Sequence, residues 1–332
     1  MISHYFSKAY SKNVVWLLFV ITMIITSIVS LLVGVVDLSF LDVLHTIQSG
    51  GDYDFVVNHY RLPRLFLAIG VGAGLGLSGA LVQGVIRNPL ASPDLIGISA
   101  GAGFVATLVL TLYPNAPLYA LPIAAVIGGM TTGIALLIIT QKAKLTPARM
   151  ALVGIAISAF LASGIDYLLV VHPIEINTAM VWLTGSLWGR DWEQVPYIWA
   201  ALALLIPFTL WLAWRLDVIG LGDDTAVSLG VDLNRVQVLA LLCAIALASI
   251  SVAIAGTISF VGLLAPHLAR LVFGHIHKAL LMGSALIGAL LVLTADTIAR
   301  GIQPPIELPA GVLTSIIGAP YFIFLLQRYK GW

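Results

Sequence analysis

Charge is what this sequence has least of. Of 332 residues only 9% are Asp, Glu, Lys or Arg, whereas 60% are hydrophobic. A soluble domain carries about 25% charge, so the chain reads as an all-α integral membrane protein with no room for a separate soluble catalytic domain. Cys243 is the sole cysteine, which excludes an intrachain disulfide and a thiolate metal cluster. It lies inside an apolar run and reads as a packing residue. No G-x-x-x-x-G-K-[ST] phosphate loop is present, and the glycine-rich stretch from Gly70 to Gly84 has no lysine to reach a phosphate. ATP cannot be held in that manner. The seven histidines are dispersed and form no H-E-x-x-H pattern, which leaves neither a metal site nor a membrane metalloenzyme to expect. A net charge of +1 gives no field for nucleic acid.

What is present is a series of long apolar runs. A helical crossing takes about 20 apolar residues. The run from Leu95 to Gln141 is twice that length, but Tyr113-Pro114-Asn115-Ala116-Pro117 interrupts it with a turn. The run from Val236 to Ala269 contains Gly256, Gly262 and Pro266 and is long enough for two short crossings. The spacing predicts spans at about 14–36, 63–84, 93–112, 117–141, 149–171, 194–214, 236–256, 258–272, 279–299 and 308–327. The first run follows a basic stretch but exceeds a signal-peptide core and lacks an A-x-A site, so it reads as an uncleaved span.

Charge placement gives the orientation. Cytoplasmic loops collect Lys and Arg, and with Lys8 and Lys12 inside, alternation also puts Arg87, Lys142, Lys144, Arg149, Arg215 and Arg235 inside. Placing Arg270, Lys278, Arg328 and Lys330 there requires an even number of crossings. The expectation is therefore ten transmembrane helices with both termini cytoplasmic. Of the sixteen Lys and Arg, only Arg61, Arg64, Arg190 and Arg300 then lie outside.

Inside the spans little chemistry remains. Ionisable groups at membrane depth are costly and rare. Asp166 falls near the outer end of the fifth span, and Asp296 precedes Arg300 by four residues, a spacing that permits an ion pair on one helix face. So few buried carboxylates argue against a proton-driven carrier. The Gly70 to Gly84 glycines, with Ser78 and Ala80, have the small-residue spacing of close helix packing. Gly79, Pro89 and Gly97 recur at an offset of 177 as Gly256, Pro266 and Gly274, which raises the expectation of an inverted repeat of spans 2–5 and 7–10.

Several segments carry a family resemblance. Arg61-Leu62-Pro63-Arg64 opens a span, QGVIRNPL runs from Gln83 to Leu90 and Gly97-Ile98-Ser99 follows. AGTISFVGLLAPHLAR spans Ala255 to Arg270, ADTIAR spans Ala295 to Arg300 and ELPAGVLTSIIGAPYF spans Glu307 to Phe322. Together, over nearly the whole chain, these segments resemble the FecCD-type permeases, the inner-membrane subunits of ABC importers for ferric siderophores, haem and vitamin B12. WLTGSLWGRDW, from Trp182 to Trp192, is most similar to a permease subunit of the ferric citrate importers.

The resemblance implies a type II ABC importer permease fold. It also implies a second related permease subunit as partner, two ATPase subunits below and a periplasmic substrate-binding protein above, with no cofactor. The cargo would be a ferric chelate, with iron dicitrate first and other ferric siderophores, haem or vitamin B12 as alternatives. The bottom-up reading keeps a stand-alone secondary transporter open as a different class.

Particular residues acquire roles by the same route. Arg61, Arg64 and Arg300 match family positions that meet acidic residues on the binding protein, a task suited to guanidinium. The segment Asp217 to Asp232 has charged ends and a glycine-bounded amphipathic middle, which reads as two small helices in a loop. It resembles the family's coupling helices, with Asp223, Asp224, Thr225, Ala226, Leu229 and Gly230 as ATPase contacts. Pro266, His267 and Arg270 lie near the same face. The family's inner gate falls in the loop between spans four and five, here Thr146, Pro147 and Ala148, where proline and alanine depart from the small polar pattern.

Overall fold

The computed structural model describes residues 12–117, 119–142, 147–174 and 176–328. The described chain is built from helices: α1 (Lys12–Leu32), α2 (Phe40–Ser49), a π-helical segment (Phe55–Arg61), α3 (Leu62–Ile86), α4 (Ile98–Leu112), α5 (Ala120–Lys142), α6 (Pro147–Val171), α7 (Ile176–Leu183), α8 (Val195–Ile219), α9 (Asp223–Ser228), α10 (Leu233–Ala255), α11 (Val261–Phe273), α12 (His277–Gly301) and α13 (Ala310–Arg328). Among the described residues, seven helices are long and apolar enough to cross a membrane, and α4, α11 and α13 are shorter apolar helices. The chain is a multi-pass membrane protein. The apolar runs are helical, although α4 starts at Ile98 and α8 continues to Ile219, each five residues from the expected bound. The expected first span runs too far, because α1 stops at Leu32.

Local chemistry sets the boundaries. α2 starts on a capping box, in which the Ser39 hydroxyl accepts from the Asp42 N–H and the Asp42 carboxylate accepts from the Ser39 N–H at 2.9 Å. Asp232 caps α10 by accepting from the Arg235 N–H. The long run from Val236 breaks at Gly256, whose φ of 71° ends α10, and resumes at Val261 behind Phe260 in the left-handed region. At Gly256 only a hydrogen fits, because a Cβ would lie 2.1 Å from the Trp182 carbonyl oxygen.

α3 is the hub, packed against α8, α10, α11 and α12. Of the most apolar stretch running into it, 89% is buried, against 11% for α1 and 6% for α6. Its glycines make this closeness achievable. A Cβ on Gly72 or Gly76 would lie 2.3 Å from the Gly288 carbonyl oxygen or 2.1 Å from that of Ser284, and one on Gly79 would lie 1.8 Å from that of Gly262. Backbone therefore meets backbone, as small residues permit in membranes, where close packing replaces the hydrophobic effect between helices.

Two quartets of helices share a length pattern, long, short, long and long, in α3–α6 and α10–α13. The residues that suggested the repeat are not equivalent within it. Gly79 is mid-helix while Gly256 is a C-cap, Pro89 is in a turn while Pro266 is inside α11, and Gly97 precedes a helix while Gly274 follows one. The offset of 177 is corrected on that ground. The left-handed N-caps Gly97 and Phe260 of the two short helices are the better match.

Candidate functional site: two polar clusters at the bundle ends

The end of the bundle where α3 begins and α12 finishes holds a buried charge network. Arg64 grips Asp296 with Nε at 2.9 Å from both carboxylate oxygens and Nη2 at 2.8 Å from Oδ1. Its Nη1 donates to Glu307 at 2.5 Å and to the Tyr60 hydroxyl at 2.7 Å, and Tyr60 in turn donates to Glu307 at 2.6 Å. Arg300 reaches Asp296 at 3.4 Å and donates to the Ser30 carbonyl and hydroxyl at 2.9 and 2.8 Å. Arg61 donates to the carbonyls of Leu31, Leu32 and Val36 at 2.7, 3.0 and 2.5 Å. Two of the three cations thus cap the C-terminal carbonyls of α1, where the helix dipole favours positive charge.

This placement gives the three arginines a structural role inside the chain. Arg61, Arg64 and Arg300 are 2%, 1% and 2% exposed, and most of their donors are used inside the chain, the Arg300 Nε being left without a hydrogen bond. A partner arriving at the outer surface does not meet these guanidinium groups in this conformation. Asp296 does approach Arg300, as its i,i+4 spacing suggested, but its principal partner is Arg64, 232 residues away. Sequence reading also missed Tyr60 and Glu307. Tyr60 carries a weak signal, four residues before Arg64 on one helix face. Glu307 opens the ELPAGV segment, but no local spacing pairs it with Arg64, 243 residues away.

Beside this network the Trp182 to Trp192 segment is stitched to the bundle. Ser186 N–H donates to the Ala255 carbonyl at 2.7 Å, Gly311 N–H to that of Gly185 at 2.9 Å and the Trp192 indole to that of Asn58 at 2.6 Å. Arg190 is half-buried, and burial holds its guanidinium below the usual arginine range.

The opposite end carries the loop from Asp217 to Asp232. One short helix occupies it among the described residues, not two, because Asp217 to Ile219 still belong to α8. Asp223, Asp224, Thr225, Leu229 and Gly230 are exposed, as a contact surface requires, and so are the apolar Leu221 and Val227. Ala226 is the correction: it is fully buried against the bundle. The Asp223 carboxylate is not free for a partner either, since Arg87 at the end of α3 binds it. Pro266 is buried inside α11, His267 packs edge-on against Tyr321 with ring centres 6.0 Å apart, and Arg270 donates to the Gln83 side chain at 2.6 Å. All three shape the α3, α11 and α13 junction. Of the gate candidates, Thr146 lies outside the described residues, and Pro147 and Ala148 open α6.

Among the described residues, no three His, Cys, Asp or Glu side chains converge as metal ligands do. What distinguishes the described residues is a packed scaffold pinned at one end by buried charge, with an exposed apolar loop at the other and two largely uncovered apolar helices, α1 and α6. Residues 21–328 match the FecCD transport family. The chain belongs to the FecCD transport family. Within it, this member is 46% identical over 313 residues to the Fe(3+)-citrate import system permease protein YfmE of Bacillus subtilis, covering 94% of each chain. It is 45% identical over 304 residues to the Fe(3+) dicitrate transport system permease protein FecD of Escherichia coli, covering 92% of this chain and 95% of that one. A solved metal-chelate type ABC transporter in an inward-facing conformation superposes with a TM-score of 0.83 at 30% identity, covering 97% of this FecCD member and 100% of that chain. These relatives are permease subunits and transporters, and the chain is a transport component with no ATP site of its own kind in its sequence.

Proposed function

We propose that this FecCD member is one permease subunit of an ATP-driven ABC importer that carries a ferric chelate, iron(III) dicitrate first, across a bacterial cytoplasmic membrane. The observation that carries the reading is the similarity, above 40% over more than nine-tenths of the chain, to two ferric citrate permeases. The charge pattern supports ten crossings with both ends in the cytoplasm. The α9 loop then faces the cytoplasm, where Leu221, Val227 and Leu229, at 68%, 57% and 61% exposure in the order Leu221, Leu229, Val227, offer an apolar surface to a separate ATPase subunit.

A second, related permease covers α6. That helix exposes Phe160, Val170, Tyr167 and Leu152 and also carries Ser158, Ser163 and Asp166, a mixed surface suited to an interface that encloses a polar pathway. Its first turn, with Thr146, forms the inner gate. A binding protein delivers the chelate to the opposite end, where Trp188, Asp191 and Trp192 are exposed.

The test is reconstitution with the second permease, the ATPase and the binding protein, followed by uptake of labelled ferric citrate. ATP-dependent uptake that withstands ionophores and is not competed by haem or cobalamin is expected. Uptake by this chain alone without ATPase, or its collapse with the proton gradient, overturns the reading.

A further inference from the structure

The α9 loop is tied to the scaffold at two points, and the two ties lead to the two helices that pack most extensively on each other. The first runs from Arg87 to Asp223. Arg87 ends α3 with φ 53°, a left-handed conformation that a bulky non-glycine residue rarely adopts, and this bend directs its guanidinium at the first residue of α9. The second runs from Asp217, in the last turn of α8, to His277, the first residue of α12. Asp217 Oδ1 accepts from the His277 backbone N–H at 2.9 Å and bonds its Nδ1 at 2.7 Å. Ile276 offers α12 no side-chain cap, so the cap of α12 comes from the loop side of α8.

α3 and α12 are in turn locked together. Gly72 and Gly76 lie on the backbone of Gly288 and Ser284 along their length, and Arg64 binds Asp296 at their far ends. A pair fixed at several points along its length and at one end has little freedom to shear, so a push at its near end reaches the far end. Gly222 at φ 114° and Gly230 at φ 79° flank α9, and Ala226 between them is fully buried, so the short helix is seated on the scaffold to which it is tied.

The Arg87 to Asp223 pair does little for stability. Its side chains are 36% and 59% exposed, and surface ion pairs of this kind contribute little to folding. What it fixes is where α9 sits relative to α3. We propose that Arg87 and Asp217 are positioning residues for energy coupling: through Asp223 and His277 they hand displacement of α9 to the α3 and α12 pair as one body. This rests on the reading of α9 as the ATPase-facing element, and it assigns Asp223 to the scaffold side of that element.

The experiment uses the complete transporter in lipid vesicles and measures ATPase binding, ATP hydrolysis and chelate moved per ATP. Arg87→Gln is expected to leave melting temperature, ATPase binding and basal hydrolysis near wild type while chelate per ATP falls about tenfold, within the range of coupling mutations. The charge exchange Arg87→Asp with Asp223→Arg should restore most of that loss. Asp217→Ala should uncouple more than Asp217→Asn, which keeps an acceptor for the His277 N–H. Unchanged chelate per ATP in Arg87→Gln, or no recovery in the exchange, overturns the proposal. So does loss of ATPase binding in Arg87→Gln, which would make Arg87 a contact. The wild type separates this outcome from failure of the functional reading: only if the wild type itself shows no ATP-driven uptake does that reading fall, and this proposal falls with it.

Discussion

Replacing Arg64 with methionine tests the buried network most directly. The substitution keeps an unbranched apolar stem of similar reach but removes five donors, leaving Asp296 at 1% exposure with only Arg300, 3.4 Å away, and Glu307 with Tyr60. Breaking a buried ion pair by deleting one partner costs about 3–5 kcal/mol, because the other charge stays uncompensated. At about 1.4 kcal/mol per factor of ten, that is two to four decades in the folded to unfolded ratio. Arg64→Met with Asp296→Leu should recover only part of the loss, since apolar replacement is often neutral for a whole buried pair but here Arg300 and Glu307 keep their charges without these partners. Unfolding in detergent by heat or denaturant, read by tryptophan fluorescence, gives the comparison. Arg64→Glu together with Arg61→Glu should fail to accumulate at all, as it puts one carboxylate beside Asp296 and Glu307 and another against the carbonyls of Leu31, Leu32 and Val36. A double-glutamate variant of wild-type stability, whose sole defect was weak and salt-dependent affinity for the binding protein, would refute the reasoning and return these arginines to a docking role.

Other consequences are simpler to state. Gly76→Leu should cost at least the 1–3 kcal/mol of about one overpacked core position, because even a Cβ there would lie 2.1 Å from the Ser284 carbonyl oxygen; a melting temperature equal to that of the wild type would be the contrary result. Asp224→Lys with Leu229→Asp should abolish capture of the ATPase and uptake while leaving membrane insertion and thermal stability unchanged. Cysteines at Phe160 and Val170, both exposed on α6, should crosslink to the second permease and not to the ATPase; a crosslink only between copies of this chain would point to a homodimer.

Most of the architecture was legible because it rests on length and composition. An apolar run long enough to cross a bilayer must satisfy its backbone internally and so becomes a helix. The expected spans 63–84 and 258–272 therefore reappear as Leu62–Ile86 and Val261–Phe273. What did not show was the structure between spans. α2, the π-helical segment and α7 are short, and their burial comes from neighbours distant in sequence: Val57 is fully buried among Leu38 and Val43, and Ala179 is buried beside α4. Local pattern also misled at the charges. An i,i+4 rule pairs Asp296 with Arg300, the neighbour it can see, whereas the geometry pairs it with Arg64 across the bundle. The internal role of Arg61, Arg64 and Arg300 was hidden for a related reason. Their number on that side was unusual, but the internal acceptors that account for them, the open carbonyls ending α1 and the carboxylates of Asp296 and Glu307, become visible only in the fold.

The two features that sequence reading joined least, buried charge at one end and an uncovered α6, belong together mechanically. A transporter must open a pathway at one face and then the other while remaining folded, so some helices must hold and others must give. The holding group is identifiable: α3 and α12 meet backbone to backbone at Gly72, Gly76, Gly288 and Ser284, and the Arg64 network closes their far ends. α6 has the opposite character, with its most apolar stretch 6% buried and few elements packed on it. Burying the arginines inside the scaffold is then coherent. A network that docked and undocked with each cycle would have to exchange its internal partners for external ones, losing several buried hydrogen bonds to charged groups at about 1.5–3 kcal/mol each. Kept internal, the same bonds hold α1, α3 and α12 together at one end of the scaffold.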